Sequence, residues 1–226
     1  MFICFEGIDG AGKSTQARML YEHLTADGYR AELVCDPGTT KIGTAIRSLL
    51  LDNDAPITPV AQMLLFSAAR AELAAYIKQQ IKNHVVVICD RWFLSTLVYQ
   101  GEMNKLPLAD LLAVFSLSGC MFPDLCFLLD LPPDSAQQRI GPPRDRYERK
   151  NFEDRARMRA AYIKFAQNDF AVRNEILNAA HDADTIHRLV YSLVAGAIKD
   201  CPEILTMEYS NANADGARNC STTHAN

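Results

Sequence analysis

Eight residues near the amino terminus limit the possible folds more than any other segment: Gly7-Ile8-Asp9-Gly10-Ala11-Gly12-Lys13-Ser14. They fit the phosphate-binding pattern G-x-x-x-x-G-K-[ST]. A short apolar run covers residues 2–5, and a helical pattern begins at Thr15. A buried strand would therefore deliver the loop to a helix N-terminus, where backbone N–H groups lack intrahelical partners and the helix dipole favours anions. The segment predicts a site for nucleotide phosphates.

The residue types of this loop suit different tasks in phosphate binding. Its glycines let the backbone close on a phosphate, Lys13 supplies a positive charge, and the Ser14 hydroxyl can ligate Mg²⁺. Asp9 is the exception, because a carboxylate would repel ATP; it is expected to face a sugar hydroxyl or, as the alternative, solvent. The expected ATP-binding residues are Gly7, Ile8, Asp9, Gly10, Ala11, Gly12, Lys13, Ser14 and Thr15.

Apolar runs and helical patterns alternate along the rest of the chain. The strand candidates are residues 2–5, 30–35, 84–90, 125–130 and 176–180. The helical patterns cover about 14–26, 42–51, 58–83, 94 onward, 107–118, 135–140, 152–172 and 183–199. Continuous apolar strands between helices indicate a parallel sheet covered on both faces. We therefore predict an α/β fold: a P-loop-type parallel sheet of about five strands, flanked by helices, with a short helical lid.

Length and composition describe an ordinary globular chain. Its 226 residues suit one domain over 1–200, with residues 203–226, which are polar and aperiodic, expected to form a flexible tail. A formal net charge of −4 gives no electrostatic case for nucleic-acid binding. No apolar run approaches the length of a membrane span. None of the seven cysteines shows C-x-x-C spacing, and Cys4, Cys35, Cys89 and Cys126, which lie within or at the end of strand candidates, are best explained as buried free thiols in a reducing compartment. We expect a cytoplasmic protein that binds neither nucleic acid nor membrane.

The carboxyl ends of parallel strands are where ligands of such sheets bind, and one of them carries Asp90 and Arg91. A carboxylate after an apolar strand is typical of a position near Mg²⁺, so Ser14 and Asp90 are the predicted metal ligands. Many ATP-hydrolysing P-loop proteins place a glutamate at the next position. The arginine found here instead suits a second phosphate-bearing ligand, through its planar fork. The alternative is a surface Asp–Arg pair without a role.

A segment dense in charge follows Gly141-Pro142-Pro143. With its flanks it carries the arginines Arg139, Arg144, Arg146, Arg149, Arg155, Arg157 and Arg159, interleaved with acidic residues. Alternating charge is typical of a solvated helix face, and that interpretation stays open. The other interpretation is a mobile lid at about 139–155, which would close on ATP, exclude water and bring arginines to the transferring phosphoryl group.

Taken in chain order, these segments resemble the thymidylate kinase family. The resemblance spans residues 2 to about 180 and rests on residues 5–16, 36–40, 46–51, 64–72, 90–101 and 145–148. It implies Mg²⁺·ATP-dependent phosphorylation of dTMP to dTDP by a homodimer. The family usually has Arg-Glu-Pro-Gly-Gly-Thr where this chain has Cys35-Asp36-Pro37-Gly38-Thr39-Thr40. The usual arginine is therefore absent, and Asp36 is one methylene shorter than the usual glutamate.

The resemblance also implies roles for residues that would bind the base and sugar of dTMP. Phe66 would stack on thymine, and Arg70 would reach a thymine carbonyl. Thr96 and Gln100 would line the base pocket, and Tyr99 would crowd the 2′ position and favour deoxyribose. The full expected dTMP-binding set is Asp9, Asp36, Arg47, Phe66, Arg70, Arg91, Thr96, Tyr99 and Gln100.

Further implied roles concern phosphoryl transfer. Arg47 and Arg91 would hold the monophosphate, and Asp9 would meet the 3′-hydroxyl side. A subgroup of the family carries glycine after the loop carboxylate, as Gly10 does here, and supplies its catalytic arginine from the lid. Of the lid candidates Arg144, Arg146 and Arg149, we expect Arg146 to be catalytic. The predicted catalytic residues are Asp9, Lys13, Arg91 and Arg146.

Two other functions stay open on the sequence. The first is a P-loop kinase for another deoxynucleotide or a deoxynucleoside. The second is a P-loop ATPase or switch that acts by binding a partner. A GTPase would carry Asn-Lys-x-Asp for guanine, but the nearest match, Asn104-Lys105-Leu106-Pro107, lacks the aspartate.

Overall fold

The structure is a computed structural model that describes residues 1–52, 56–142, 147, 151–168, 170 and 172–205. Within these residues the chain forms a parallel sheet of five strands in the order β2-β3-β1-β4-β5. The strands are β1 (Phe2–Glu6), β2 (Ala31–Cys35), β3 (Val86–Asp90), β4 (Leu125–Asp130) and β5 (Arg173–Asn178). The pairs Cys4–Cys89 and Cys4–Cys126 are in register, which brings the carboxyl ends of the central strands to one edge. The predicted fold class is confirmed.

Helices connect the strands. They are α1 (Lys13–Ala26), α2 (Lys41–Leu51), α3 (Pro59–Lys82), α4 (Phe93–Thr96), α5 (Leu108–Leu117), α6 (Pro133–Arg139), α7 (Phe152–Ala166), α8 (Ala183–Lys199) and α9 (Pro202–Leu205). A π-helical segment, Leu97–Met103, follows α4 directly. Side chains cap several helices: Thr40 accepts from the Gly43 N–H, and Asp182 from the Thr185 N–H. These caps satisfy backbone donors that have no partner inside the helix.

The core lies on both faces of the central strands. Every residue of β1 is buried. In β3 and β4 every residue is buried except the last, Asp90 and Asp130, which are partly buried. Because alternate side chains of a strand point to opposite faces, such strands must be covered on both sides. Phe5 stacks on Phe127 with ring centroids 5.2 Å apart, and Phe2 meets Trp92 edge-on at the same distance.

Helix α3 is, among the described helices, the one with the length and apolar composition of a membrane span. Its buried side chains include Met63, Leu73 and Ile77, which belong to helix faces packed in the core. A core helix meets the same criteria of length and composition. The four cysteines predicted on strands do lie on β1 to β4; Cys4, Cys89 and Cys126 are buried free thiols, whereas Cys35 is a free thiol that is only partly buried.

Several boundaries differ from the sequence prediction. The helix expected over 152–172 ends at Ala166, where Asn174 Nδ2 donates to the Ala166 carbonyl at 3.0 Å, and β5 begins at Arg173 instead of 176. Being partly exposed, β5 lacks the continuous apolar run of an inner strand. Helix α9 includes residues 203–205 of the predicted tail, and residues 206–226 lie outside the described part.

The predicted lid at about 139–155 is described only at its edges. Arg139 ends α6, and Phe152 begins α7. Between them, residues 143–146 and 148–150, including Arg144, Arg146 and Arg149, lie outside the described residues. The role predicted for Arg146 therefore stays a prediction.

Candidate active site

A cavity of about 820 Å³ opens at the carboxyl-terminal edge of the sheet, where the sequence predicts a ligand site. It has two parts. The loop half is lined by Gly10 to Gln16, Asp90, Arg139 to Gly141, His181 to Ala183 and Ile186. The aromatic half is lined by Asp36, Pro37, Arg47, Leu50, Phe66, Arg70, Ser95, Thr96, Tyr99, Gln100 and Tyr147. Asp9 and Arg91 also line the cavity and form an ion pair.

The phosphate-binding loop takes a conformation that its glycines make possible. Gly7 has φ 139°, and a Cβ there would come within 2.6 Å of the Leu129 carbonyl oxygen. Gly10 has φ 83° and would meet the Ala136 carbonyl oxygen at 2.7 Å. Helix α1 begins with no side-chain cap, so its first N–H groups are available to an anion. Gly7 and Ile8 themselves do not line the cavity, and Ile8 is buried in the core.

Lys13 is held in this loop by contacts to the protein. Its Nζ donates to the Ile8 carbonyl at 2.9 Å and lies 3.9 Å from Asp9 Oδ1. Burial and the nearby Arg91 lower the pKa of Lys13 to about 8, although Asp9 opposes them. A phosphate near Nζ would favour the charged form and raise that pKa again.

Ser14 and Asp90 meet as the sequence predicts, since the Ser14 hydroxyl donates to Asp90 Oδ2. Asp90 Oδ1 is buried and has no hydrogen-bond partner among the described residues. The same part of the chain contains no cluster of three His, Cys, Asp or Glu side chains suited to a metal. Mg²⁺ is usually bound by one or two protein carboxylates together with water and substrate phosphates, so this sparse oxygen set fits it.

Arg91 lies between the two halves and has a left-handed backbone, with φ 73°. Its Nη2 pairs with Asp9, while Nη1 lies 3.2 Å from both Ser95 Oγ and the Tyr162 hydroxyl. Asp9 also accepts from the Tyr99 hydroxyl at 3.2 Å. Burial opposes the charge of Asp9, but Arg91 and Lys13 outweigh it and hold the pKa of Asp9 below its ordinary value. Asp9 is thus paired and faces the cavity, which disfavours the solvated alternative.

Glu6, which was not predicted as a functional residue, holds the segment around Arg91 in place through hydrogen bonds. It is fully buried and accepts from the Trp92 N–H at 2.8 Å, the Ser95 N–H at 3.1 Å and the Ser95 hydroxyl at 2.6 Å. Burial raises the pKa of Glu6 despite these hydrogen bonds. Its bonds fix the turn that follows β3 and orient Arg91. An acidic residue ending an apolar strand was the available sequence signal.

The aromatic half is a slot for a planar group. Tyr147 meets Phe66 edge-on at 5.8 Å and Tyr99 at 6.2 Å between ring centroids. At its buried end, Arg70 Nε donates to Asp36 Oδ2 and Nη1 to Thr96 Oγ1, both at 2.6 Å. Flat aromatic walls with fixed polar groups at one end suit a heterocyclic base.

The remaining predicted acceptor residues also line this half. Arg47 Nη1 donates to the Pro37 carbonyl at 2.8 Å. Gln100 is buried, and its Nε2 has no partner among the described residues. All nine residues of the predicted dTMP-binding set therefore lie on one cavity.

The arginines of the basic segment divide between the two interpretations given above. Arg157 pairs with Glu102, and Arg159 pairs with Asp130 through bonds of 2.6 and 2.8 Å, outside the cavity. These two match the helix-face interpretation. Arg139 lines the loop half and donates to the Ala179 carbonyl at 3.0 Å. Arg155 is almost fully buried on α7.

Part of the loop half was missed by sequence reasoning. Gln16 donates through Nε2 to the Ala183 carbonyl at 2.8 Å, and its Oε1 is buried without a partner among the described residues. Ile140, His181 and Ile186 complete this wall. His181 and Ile186 follow β5, the strand whose partly exposed pattern gave the weakest signal.

A parallel sheet, a phosphate-binding loop after its first strand and an arginine-lined pocket facing that loop together define a P-loop kinase fold. The chain belongs to the thymidylate kinase family, whose model, described as thymidylate kinase, matches residues 5–190. The family resemblance inferred from the sequence is thereby confirmed.

Individual relatives agree with this assignment. The chain is 38% identical over 203 residues to the thymidylate kinase of Prosthecochloris aestuarii, covering 84% of this chain and 91% of the relative. It is 34% identical over 201 residues to that of Caldanaerobacter subterraneus subsp. tengcongensis, covering 88% and 96%. The crystal structure of thymidylate kinase from Ehrlichia chaffeensis superposes with a TM-score of 0.70 at 27% identity, over 86% of this chain and 98% of that one.

Proposed function

We propose that this protein transfers the γ-phosphoryl group of Mg²⁺·ATP to dTMP, giving dTDP and ADP. The observation that supports it best is the placement of Arg91 in a single cavity with the phosphate-binding loop and an aromatic slot. Two nucleotides bound in the two halves would meet with their phosphates near Asp9 and Arg91. The family and the names of its relatives agree with this activity.

In the loop half, we propose that ATP binds through the backbone of residues 7–15 and through Lys13. When bound, Mg²⁺ would neutralise charge on the phosphates, held from the protein side by Ser14 and Asp90. Lys13 would exchange the Ile8 carbonyl for a phosphate oxygen. Arg139 and a lid arginine, with Arg146 as the predicted one, would complete the positive charge around the transferring group.

In the aromatic half, dTMP would stack its base on Phe66, with Arg70 donating to a base carbonyl. The hydroxyl of Tyr99 would restrict the sugar, and Arg47 and Arg91 would hold the monophosphate. No general base is needed, because the acceptor oxygen belongs to a phosphate that is already an anion. Catalysis would then consist of alignment and charge neutralisation.

We also propose that the protein acts as a cytoplasmic homodimer, with a lid over about residues 139–155. The dimer is supported by the family resemblance and by exposed apolar side chains on neighbouring helices, such as Leu49 on α2 and Leu64 on α3, which are 57% and 53% exposed.

An acceptor-specificity assay tests the proposed reaction. ADP release is followed with dTMP, dUMP, dCMP and thymidine at equal concentration, and without any acceptor. We expect a higher kcat/KM with dTMP than with dCMP, because Arg70 would donate to a base carbonyl that cytosine lacks, and than with thymidine, which has no phosphate for Arg47 and Arg91. Equal rates with all four acceptors would indicate a different kinase. ADP release that needs no acceptor would indicate an ATPase.

A further inference from the structure

A buried ion pair lies at the inner end of the aromatic half. Asp36 and Arg70 are both 4% exposed, and Arg70 Nε donates to Asp36 Oδ2 at 2.6 Å. Arg70 also donates from Nη1 to Thr96 Oγ1 at 2.6 Å and from Nη2 to the Trp92 carbonyl at 3.4 Å. A guanidinium has five N–H groups, so two remain for another acceptor. No protein group among the described residues accepts from them.

The carboxylate of Asp36 is a costly group at this position. Burial raises the pKa of Asp36 even though Arg70 opposes the shift. Asp36 Oδ1 is buried with no hydrogen-bond partner among the described residues. A buried ion pair is weak evidence for stability, because its desolvation penalty can exceed the attraction between the charges. The ion pair does, however, hold the long and flexible side chain of Arg70 in one orientation.

That orientation limits what Arg70 can recognise. A guanidinium can only donate hydrogen bonds, and it cannot lose its proton in a protein. A base carbonyl can accept from it, whereas an amino group at the same ring position would leave donors facing donors. Buried donors left without acceptors are penalised heavily, so a fixed Arg70 discriminates between bases more sharply than a mobile one.

We propose that Asp36 is a positioning residue: by fixing Arg70, it makes the aromatic half select pyrimidines that carry a carbonyl where cytosine carries an amino group. This inference rests on the proposed function. It assigns a role to Asp36, the position at which the family usually has glutamate. Asp36 acts through Arg70 and does not touch the reacting phosphates.

The test compares Asp36→Asn with the parent chain. The amide keeps the shape of the side chain but removes the charge that strengthens the bond to Arg70. Dissociation constants for dTMP, dUMP and dCMP are measured by calorimetry on the full chain, together with that for ATP. We expect the preference for dTMP over dCMP to fall about tenfold, since charge-assisted bonds are roughly twice as strong as neutral ones. The ratio of dTMP to dUMP and the affinity for ATP should not change.

Two further variants control the result. Asp130→Asn removes the partner of Arg159, an Asp–Arg pair outside the cavity, and should keep the parent preference. Asp36→Glu keeps the carboxylate and should keep the preference within about threefold, as expected if charge is what matters. If Asp36→Asn does not fold, Asp36→Glu decides, because a folded Glu variant that cannot tell dTMP from dCMP would contradict the proposal.

Other outcomes also reject it. A folded Asp36→Asn protein that retains the full dTMP preference would show that Arg70 needs no positioning. Equal loss of all three monophosphates would indicate a purely structural role. Failure of the proposed function would look different, because the parent chain itself would then show no preference for dTMP over dCMP.

Discussion

The two halves of the cavity hold their positive charges in different ways. In the loop half, Lys13 is bound to a backbone carbonyl and Ser14 to Asp90, and both contacts are ones that a phosphate or metal would replace. In the aromatic half, Arg70 is held by Asp36, and Arg91, which lies between the halves, is held by Asp9; both carboxylates line the same cavity. The loop half is therefore ready to exchange its contacts, while the aromatic half is already assembled. Preassembly favours discrimination between ligands, because fixed groups cannot adapt to a wrong one.

The largest effect that separates the halves should come from Lys13→Ala. Removing this cation takes away charge neutralisation at the transferring phosphoryl group, so we expect kcat to fall by about a thousandfold or more. Affinity for dTMP, measured without ATP, should change by less than about threefold, because the contacts of Lys13 in the described structure are to Ile8 and, at 3.9 Å, to Asp9, and not to the aromatic half. The steady-state rate of ADP release at saturating substrate gives kcat, and calorimetry gives the affinity for dTMP.

The control for this substitution is Lys105→Ala. Lys105 has a side chain that is 66% exposed and pairs with Glu102 at 3.0 Å, outside the cavity. It should retain parent kinetics, since exposed ion pairs contribute little. If Lys13→Ala weakened dTMP binding as strongly as it lowered turnover, the two halves would not be separable.

A second, smaller effect should follow from Arg91→Lys. Lysine keeps the charge but loses the planar fork that reaches Asp9, Ser95 and Tyr162 together. We expect kcat/KM for dTMP to fall about a hundredfold, consistent with the loss of a preorganised charge clamp. KM for ATP should stay within about threefold of the parent value.

Arg157→Lys is the matched control, because Arg157 is an arginine paired with Glu102 outside the cavity. It should leave both Michaelis constants unchanged. An equal rise in KM for dTMP and ATP in Arg91→Lys would argue that Arg91 serves the whole fold instead of the acceptor phosphate.

The same contrast explains what could be predicted from the sequence. The loop half begins with a contiguous segment, in which glycine spacing, Lys13 and Ser14 report the local backbone, so β1, the loop and the start of α1 were predicted within a residue. The aromatic half joins residues from 36 to 147 that only the fold brings together. The family resemblance supplied most of its residues but not Pro37, Leu50, Ser95 and Tyr147, and no local pattern indicated that Asp36 would pair with Arg70.

Three features lay beyond sequence reasoning for physical reasons. The π-helical segment Leu97–Met103 has the composition of an ordinary helix, so periodicity alone does not reveal it. The wall of the loop half after β5 was missed because a partly exposed strand carries no continuous apolar run. Glu6 ends a buried strand, and only its three hydrogen bonds to Trp92 and Ser95 reveal that it orients the turn carrying Arg91.

The smallest effect concerns pH and again distinguishes the halves. Burial and Arg91 lower the pKa of Lys13 to about 8, so Lys13 loses its charge as pH rises through that value. Bound phosphates favour the charged form, so ATP binding should take up a proton above pH 8. Affinity for ATP should then be constant below that pH and weaken by up to about tenfold per pH unit above it.

Calorimetric titrations of ATP at pH 7 and pH 9, each in two buffers of different ionisation enthalpy, measure the affinity for ATP and the number of protons taken up on binding. Proton uptake should be near zero at pH 7 and approach one proton per ATP at pH 9, and Lys13→Ala should abolish it. Binding of dTMP should show no such step in this range, because the pKa of Asp9 is lowered and that of Arg91 raised, so both stay charged. A dTMP affinity that fell with the same pH profile as that of ATP would mean that Lys13 serves both nucleotides, and the division of the cavity into an exchanging half and a preassembled half would be wrong.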